Sequence, residues 1–119
     1  MIIQLHTWLA IAAALVIVLV GLEGGWRALR SSPPGGAPAR LEGVLLLMLV
    51  VTSAGGLGLL AGGGRPREVL HFVYAIVVLG AVPIAATMSM RASARTRGLA
   101  SLTGAIVALV VVARLFGTG

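Results

Sequence analysis

The chain has 119 residues, of which 59% are hydrophobic and 10% are charged. A soluble domain is about half apolar and roughly a quarter charged, so this composition is typical of a membrane protein. The sequence contains no cysteine, which excludes disulfides and cysteine-ligated metals or iron–sulfur clusters. The net charge of +6 could suggest nucleic acid, but the arginines lie between apolar runs, where membrane proteins keep them. We expect no nucleic-acid binding and an environment of membrane lipid.

Four apolar runs are long enough to predict membrane-spanning helices, since roughly 20 mostly apolar residues cross about 30 Å of hydrocarbon. They predict helices over about residues 2–22, 41–61, 69–88 and 98–116. The fourth is long enough if the side chain of Arg114 reaches the interface. The N-terminus lacks the basic segment of a signal peptide, so the first run is expected to be a retained helix. The sequence thus predicts an all-α fold, a single domain over residues 1–119 that forms an integral membrane four-helix up-down bundle.

The connections between these helices predict how the bundle is oriented. The first connection, residues 23–40, is rich in glycine and proline and is predicted to be irregular. The first and third connections lie on the same side and carry most of the arginines, namely Arg27, Arg30, Arg40, Arg91, Arg95 and Arg97. Positively charged connections stay in the cytoplasm. We therefore expect these two connections to be cytoplasmic and both termini to lie outside, in a bacterial cytoplasmic membrane.

The two histidines of the chain occupy matching positions in a short repeat. "LHTWLAI" opens the first run and "LHFVYAI" opens the third, so L-H-x-x-x-A-I occurs twice. This parallel repeat suggests a pseudo-two-fold axis along the membrane normal. His6 and His71 then lie at similar depth near the outer leaflet, on helices that are commonly diagonal in a four-helix bundle. Two imidazoles facing the bundle axis from opposite sides could ligate the iron of a haem from both faces.

Several residues near the two histidines have the size or charge that a haem site requires. Ala10 lies on the same helical face as His6, and Tyr74 lies one turn from His71, where it could form a hydrogen bond within the site. Small residues at the same depth of the second helix would leave room for a flat macrocycle, and basic residues at the outer surface could pair with its propionates. The candidate small residues are Gly55, Gly56 and Gly58, and the candidate basic residues are Arg67 and Arg114.

Other interpretations of the same residues stay open. A single histidine at a helix end is an ordinary interfacial residue, and glycines often serve close helix packing, as in the G-x-x-x-G pairs Gly21–Gly25 and Gly58–Gly62. The pair Glu68-x-x-His71 is half of a di-iron motif, and the sequence does not supply the other half. Zinc would find only two histidines and at most Glu68. A small transporter is disfavoured because no carboxylate is expected deep in the membrane.

With its four helices and paired helix-borne histidines, the chain resembles small b-type membrane cytochromes. It is similar to the cytochrome b561 group and to one four-helix half of a haem A synthase. The resemblance rests on His6, His71 and the overall architecture. It departs from the first group, whose members generally carry more histidines and often two haems, and from the second, which joins two such bundles in one chain. The resemblance implies one b-type haem with His6 and His71 as its axial ligands.

Two functional hypotheses follow. With both axial positions filled, the iron suits electron transfer near the outer leaflet better than oxygen binding, with a quinone or a periplasmic redox protein as partner. The chain is then an electron-transfer protein rather than an enzyme. The alternative is a cofactor-free accessory or assembly subunit of a larger membrane complex, or of a homo-oligomer. The small size and abundant glycine of the chain suit that alternative.

Overall fold

The computed structural model describes residues 1–30, 36–65 and 68–118, and the regular structure of these ranges is entirely α-helical. The helices are α1 (Ile2–Arg30), α2 (Gly36–Ala61), α3 (Leu70–Met88) and α4 (Ala94–Thr118). Each contains a segment that is long and apolar enough to cross a membrane. The prediction of an all-α fold with four such helices is confirmed.

The helices form an up-down bundle in which chain neighbours are also neighbours in space. Close backbone approaches join α1 to α2, α2 to α3, α3 to α4 and α4 back to α1, whereas none joins α1 to α3 among the described residues. The helices α1 and α3 are therefore diagonal and parallel. We call the end with Met1, the α2–α3 connection and the C-terminal part of α4 the histidine end. The opposite end, which holds the end of α1, the start of α2 and the α3–α4 connection, is the arginine end.

The first connection is shorter in the structure than the sequence predicted. Residues 23–40 were expected to be irregular, but α1 continues through Arg30 and α2 begins at Gly36. The glycines near the end of α1 are tolerated because this part of the helix packs against α4, and the Arg30 guanidinium lies 4.1 Å from the ring of Trp26 one turn earlier. Pro38 falls in the first turn of α2, where a missing N–H is not needed by the helix.

The last two helices begin close to their predicted positions. The structure places α3 at Leu70–Met88, against a prediction of 69–88. It starts α4 at Ala94, one turn before the predicted residue 98. Ser93 explains the earlier start, because its hydroxyl oxygen accepts a hydrogen bond from the backbone N–H of Thr96 at 3.3 Å. A side-chain oxygen at this position satisfies one of the unpaired N–H groups at a helix start.

Helices α1 and α4 are in backbone contact near the arginine end. A Cβ atom added to Gly98 would lie 2.6 Å from the carbonyl oxygen of Gly24 and 2.7 Å from the backbone nitrogen of Ala28. One added to Gly24 would lie 2.8 Å from the carbonyl oxygen of Gly98. Only glycine fits at either position, because any side chain would overlap the facing backbone. Small residues allow this close approach of helices in a bilayer, where apolar packing rather than the hydrophobic effect holds helices together.

The glycine pairs predicted to serve packing behave differently from one another. Gly21 packs on α4, since a Cβ there would lie 3.1 Å from the Cβ of Ala105, while Gly25 meets only the end of the Leu102 side chain at 3.8 Å. A Cβ on Gly58 would meet no atom within 4 Å. Gly62 lies just beyond the end of α2. The close packing of α1 therefore involves Gly21 and Gly24 rather than the predicted pair Gly21–Gly25.

An apolar core runs along the bundle axis, and large apolar side chains cover the outside. The most buried large side chains are Ile17, Val20 and Leu45, and the outward-facing ones include leucines, isoleucines and valines of all four helices. Trp8 and Trp26 are 68% and 56% exposed and lie 18 positions apart on α1, about 27 Å along the helix axis. This distance is close to the thickness of the hydrocarbon layer, so both indoles can lie at membrane interfaces.

Candidate site at the histidine end

His6 lies in the first turns of α1 and packs against the glycines of α2. A Cβ atom on Gly56 would lie 3.3 Å from Cε1 of the His6 ring, and one on Gly55 would lie 3.8 Å from its Nδ1. The imidazole is half-buried, whereas its neighbours Leu5 and Thr7 are exposed. The two glycines thus form a shallow cradle that accommodates the ring of His6 between α1 and α2.

The Nδ1 atom of His6 is buried and has no hydrogen-bond partner among the described residues. A buried polar atom without a partner costs free energy, on the order of 1–3 kcal/mol, and such atoms in native proteins usually have a functional or solvent-related explanation. The cradle of glycines and the unpartnered nitrogen together distinguish His6 from an ordinary interfacial histidine, which would turn its ring to water.

His71 brings the second imidazole to the same end of the bundle. It is the second residue of α3, is half-buried, and lies within electrostatic range of His6. The backbone of Leu115 in α4 is a hydrogen-bonding neighbour of its ring, and the ring of Phe72 meets it edge-on with centroids 6.4 Å apart. The two histidines therefore lie at the same end of the bundle, on the diagonal helices α1 and α3, and the last turns of α4 lie beside His71.

The other predicted site residues divide into near and distant ones. Ala10 and Tyr74 are half-buried, each one turn along its helix from a histidine. Gly55 contacts His6 directly, whereas Gly58 is exposed and faces open space. Arg114 is exposed in the last turns of α4, next to Leu115. Arg67, the other predicted partner of a propionate, lies outside the described residues.

Among the described residues, the half-buried metal-ligating side chains at this end are the two imidazoles, while Glu68 is exposed. No group of three or more His, Cys, Asp or Glu side chains is close enough to hold a metal ion within the described ranges. Zinc sites use three or four protein ligands, so two imidazoles alone are a poor zinc site. An iron held by a porphyrin needs from the protein only its one or two axial ligands, and this donor set fits that need.

The sequence predicted the depth of Gly56 but not that it packs on His6, where an added Cβ would lie 3.3 Å from the ring. Gly55, Gly56 and Gly58 all follow one another in α2, and the sequence cannot tell which of them faces α1. The choice depends on the rotation of α2, and a helix that is apolar on every side gives no periodic signal for it.

A second polar cluster, at the arginine end, was also not predicted. Arg27 is buried, and its Nε lies 2.7 Å from Oε1 of Glu23, with the N–H poorly aligned for a hydrogen bond. Its Nη2 donates to the hydroxyl of Ser101 at 3.3 Å and lies 3.9 Å from Oε1 of Glu42. Ser101 donates in turn to Glu42 at 3.1 Å. We call these four residues the Arg27 cluster, and it links α1, α2 and α4.

The sequence does carry a signal for part of this cluster. Glu23 and Arg27 are four residues apart, the spacing that pairs a carboxylate with a cation on one face of a helix. The signal was overlooked because both residues were assigned to an irregular connection. Glu42 was expected at the opposite side from the histidines, and the structure places it at the arginine end.

Comparison with known proteins adds no family to this description. No protein-family model, curated protein or solved structure matches the chain. The resemblance to b-type cytochromes therefore stays a prediction that rests on the two histidines and the four-helix architecture.

Proposed function

We propose that the chain is an integral membrane protein that binds one b-type haem between His6 and His71 and transfers electrons at the histidine end. The observation that supports this proposal is that two half-buried imidazoles lie at the same end of the diagonal helices, one of them in a glycine cradle. Diagonal helices of a bundle present side chains to a common axis, which is where cofactors lie in such folds. The bound haem would supply a one-electron redox centre.

The residues of this chain would hold and tune that centre. Gly55 and Gly56 hold the ring of His6 in a space between α1 and α2 that is open only because neither residue has a side chain. The backbone of Leu115 restrains the ring of His71. Arg114 and Tyr74 are the residues that we propose for propionate pairing and for a hydrogen bond within the site. A quinone or a periplasmic redox protein is the proposed electron partner, because the site lies at one membrane surface rather than at the centre.

We also propose that the arginine end faces the cytoplasm of a bacterial cell, with both termini outside. The arginines at that end outnumber those at the histidine end, and positive charge in short connections sets the orientation of membrane proteins. The proposed haem then lies near the outer leaflet.

A visible absorption spectrum of the purified chain tests the haem directly. After expression with ample haem, we expect a Soret band and, on reduction, sharp α and β bands of a six-coordinate b-type haem. His6→Ala and His71→Ala should each abolish this spectrum. Thr7→Ala is the matched control, since its exposed hydroxyl only bonds the Ile3 carbonyl of its own helix. Colourless protein from all of these preparations would refute the proposal.

The second candidate is the cofactor-free accessory subunit, and an exposed stripe on α2 favours it. Ala54, Gly58 and Ala61 all face outward, and small residues at such spacing permit close approach of another helix. This candidate predicts a colourless chain that migrates with a larger complex on native gels. Gly58→Leu should disrupt the complex, while Gly43→Leu, on an equally open position, should not.

A further inference from the structure

A groove opens between α1 and α4 at the arginine end, and none of the residues that line it belongs to the histidine end or to the Arg27 cluster. Its volume is about 250 Å³. The residues that line it are Gly25, Ala28 and Leu29 of α1 and Arg95, Leu99 and Leu102 of α4. The groove exists because Gly25 and Ala28 are small, so that the side chain of Leu102 forms its floor 3.8 Å from where a Cβ of Gly25 would lie.

The polarity of this groove changes along its length. Arg95 lies in the first turn of α4, at the membrane surface of the arginine end, while Leu99 and Leu102 follow one and two turns deeper. These three residues span about 10 Å along the helix axis. One charged group at the surface followed by apolar surface toward the membrane interior matches the shape of a lipid, with its headgroup outside and its acyl chain within.

The charge around the groove selects the sign of the headgroup. The arginine end carries Arg27, Arg30, Arg40, Arg91, Arg95 and Arg97, whereas both of its glutamates, Glu23 and Glu42, lie against Arg27. The potential at the mouth of the groove is therefore positive, because no carboxylate lines it. Basic pockets between membrane helices attract anionic headgroups, and an arginine that lines such a pocket, as Arg95 does here, contributes about 1 kcal/mol.

We propose that this groove binds one anionic phospholipid, with its phosphate on Arg95 and an acyl chain along Leu99, Leu102 and Gly25. The proposal does not depend on haem, on the orientation of the bundle or on a partner protein. It assigns the arginine end a lipid site of defined composition, beyond the general positive charge that orients membrane helices.

Native mass spectrometry of the full-length chain, released from detergent, measures this binding. The probes are phosphatidylglycerol and phosphatidylcholine with identical acyl chains. We expect the chain to retain one phosphatidylglycerol and little phosphatidylcholine. Arg95→Gln removes the charge of the groove, and Gly25→Leu fills its apolar part. Each variant should lower lipid retention about fivefold. Arg91→Gln removes the same charge from an exposed position outside the groove, and Gly43→Leu adds the same bulk elsewhere. Both controls should stay within about twofold of the parent.

Three results would overturn the lipid site. Equal retention of the two lipids would show that the groove does not select an anion. Equal losses for Arg91→Gln and Arg95→Gln would show a general effect of surface charge. Displacement of the lipid by soluble glycerol phosphate would show a phosphate site that does not use the acyl chain. Circular dichroism of each variant verifies that the helices remain folded, so that a loss of lipid is not a loss of structure.

Discussion

The ring of His6 packs over Gly56, which has no side chain to displace it. A methyl group at that position would lie 3.3 Å from the ring, tighter than most real contacts, and a larger side chain would displace the ring altogether. The orientation of His6 thus requires that Gly56 of α2 has no side chain. An imidazole held in this way keeps one rotamer, which is what a ligand residue requires.

Gly56→Leu should therefore move His6 without removing it. We expect the variant to lose the proposed haem spectrum, and its ¹⁵N imidazole resonances to shift to those of a solvent-exposed histidine. Gly58→Leu introduces the same side chain on the same helix at a position that meets no atom within 4 Å, and it should leave both signals unchanged. Unchanged His6 resonances in Gly56→Leu would contradict the proposed cradle, whatever the haem content.

Arg27 carries its charge on a side chain that is only 7% exposed, so it depends on its partners Glu23, Glu42 and Ser101. Removing Glu42, one of its counter-charges, should destabilise the bundle. We expect Glu42→Ala to lower the free energy of unfolding by about 2 kcal/mol. Arg27 would lose a counter-charge, and the hydroxyl of Ser101 would lose its acceptor. Glu68→Ala removes the same charge from an exposed connection and should change stability by less than about 0.5 kcal/mol. Detergent-solubilised thermal unfolding measures the difference, and equal stabilities would contradict a structural role of the cluster.

At the scale of helices, α4 is the element against which the others are placed. It meets α1 backbone to backbone at Gly24 and Gly98, and it meets α3 where a Cβ on Gly104 would lie 3.2 Å from the carbonyl oxygen of Ala81. Contacts of this kind fix the register of two helices, because sliding by one residue would bring a side chain against a backbone. Among the described residues, α2 and α3 make the fewest close backbone approaches of any neighbouring helix pair.

Neighbouring glycines of α1 provide a matched test of this contact. Gly24→Ala would place a methyl group 2.8 Å from the Gly98 carbonyl oxygen and 2.9 Å from the Ser101 Cβ, and we expect a loss of about 2 kcal/mol as the helices separate. Gly25→Ala meets only Leu102 at 3.8 Å, and alanine favours the helix, so this variant should be neutral or stabilised by up to about 1 kcal/mol. Unfolding in sodium dodecyl sulfate measures both. The contact would be refuted if the two variants were equally stable.

The sequence predicted which segments are helical better than where they end. Four apolar runs were sufficient to locate α1 to α4, because length and hydropathy decide whether a helix can span a bilayer. The predicted end of α1 was wrong because glycine and proline were taken to end the helix, as they often do in soluble proteins. In this bundle Gly24 lies within α1 and is required by the contact with Gly98. The placement of His6 and His71 at one end of the bundle follows from the repeat, whereas their pairing around a cofactor stays a prediction. Gly56 and the Arg27 cluster depend on helix rotation, which uniformly apolar helices do not reveal.

For the whole molecule, the distribution of arginines predicts an orientation that can be measured. The chain has no cysteine, so single cysteines can be introduced into an unlabelled background. We expect Arg91→Cys, in the α3–α4 connection, to react with a membrane-impermeant maleimide only from the cytoplasmic side. Arg65→Cys, just beyond α2, should react only from outside, because the two positions are exposed at opposite ends of the bundle. Labelling of Arg65→Cys from the cytoplasm would reverse the proposed orientation.

The spacing of Trp8 and Trp26 sets a preferred bilayer for this protein. About 27 Å separates the two indoles along α1, although the helix itself is about 43 Å long. Hydrophobic matching therefore favours a thin membrane. In a thicker membrane, either the lipid around the bundle becomes thinner or one indole lies below the interface. Each ångström of mismatch costs a fraction of a kcal/mol. The chain should then partition toward thin, short-chain lipid domains wherever a membrane offers both kinds.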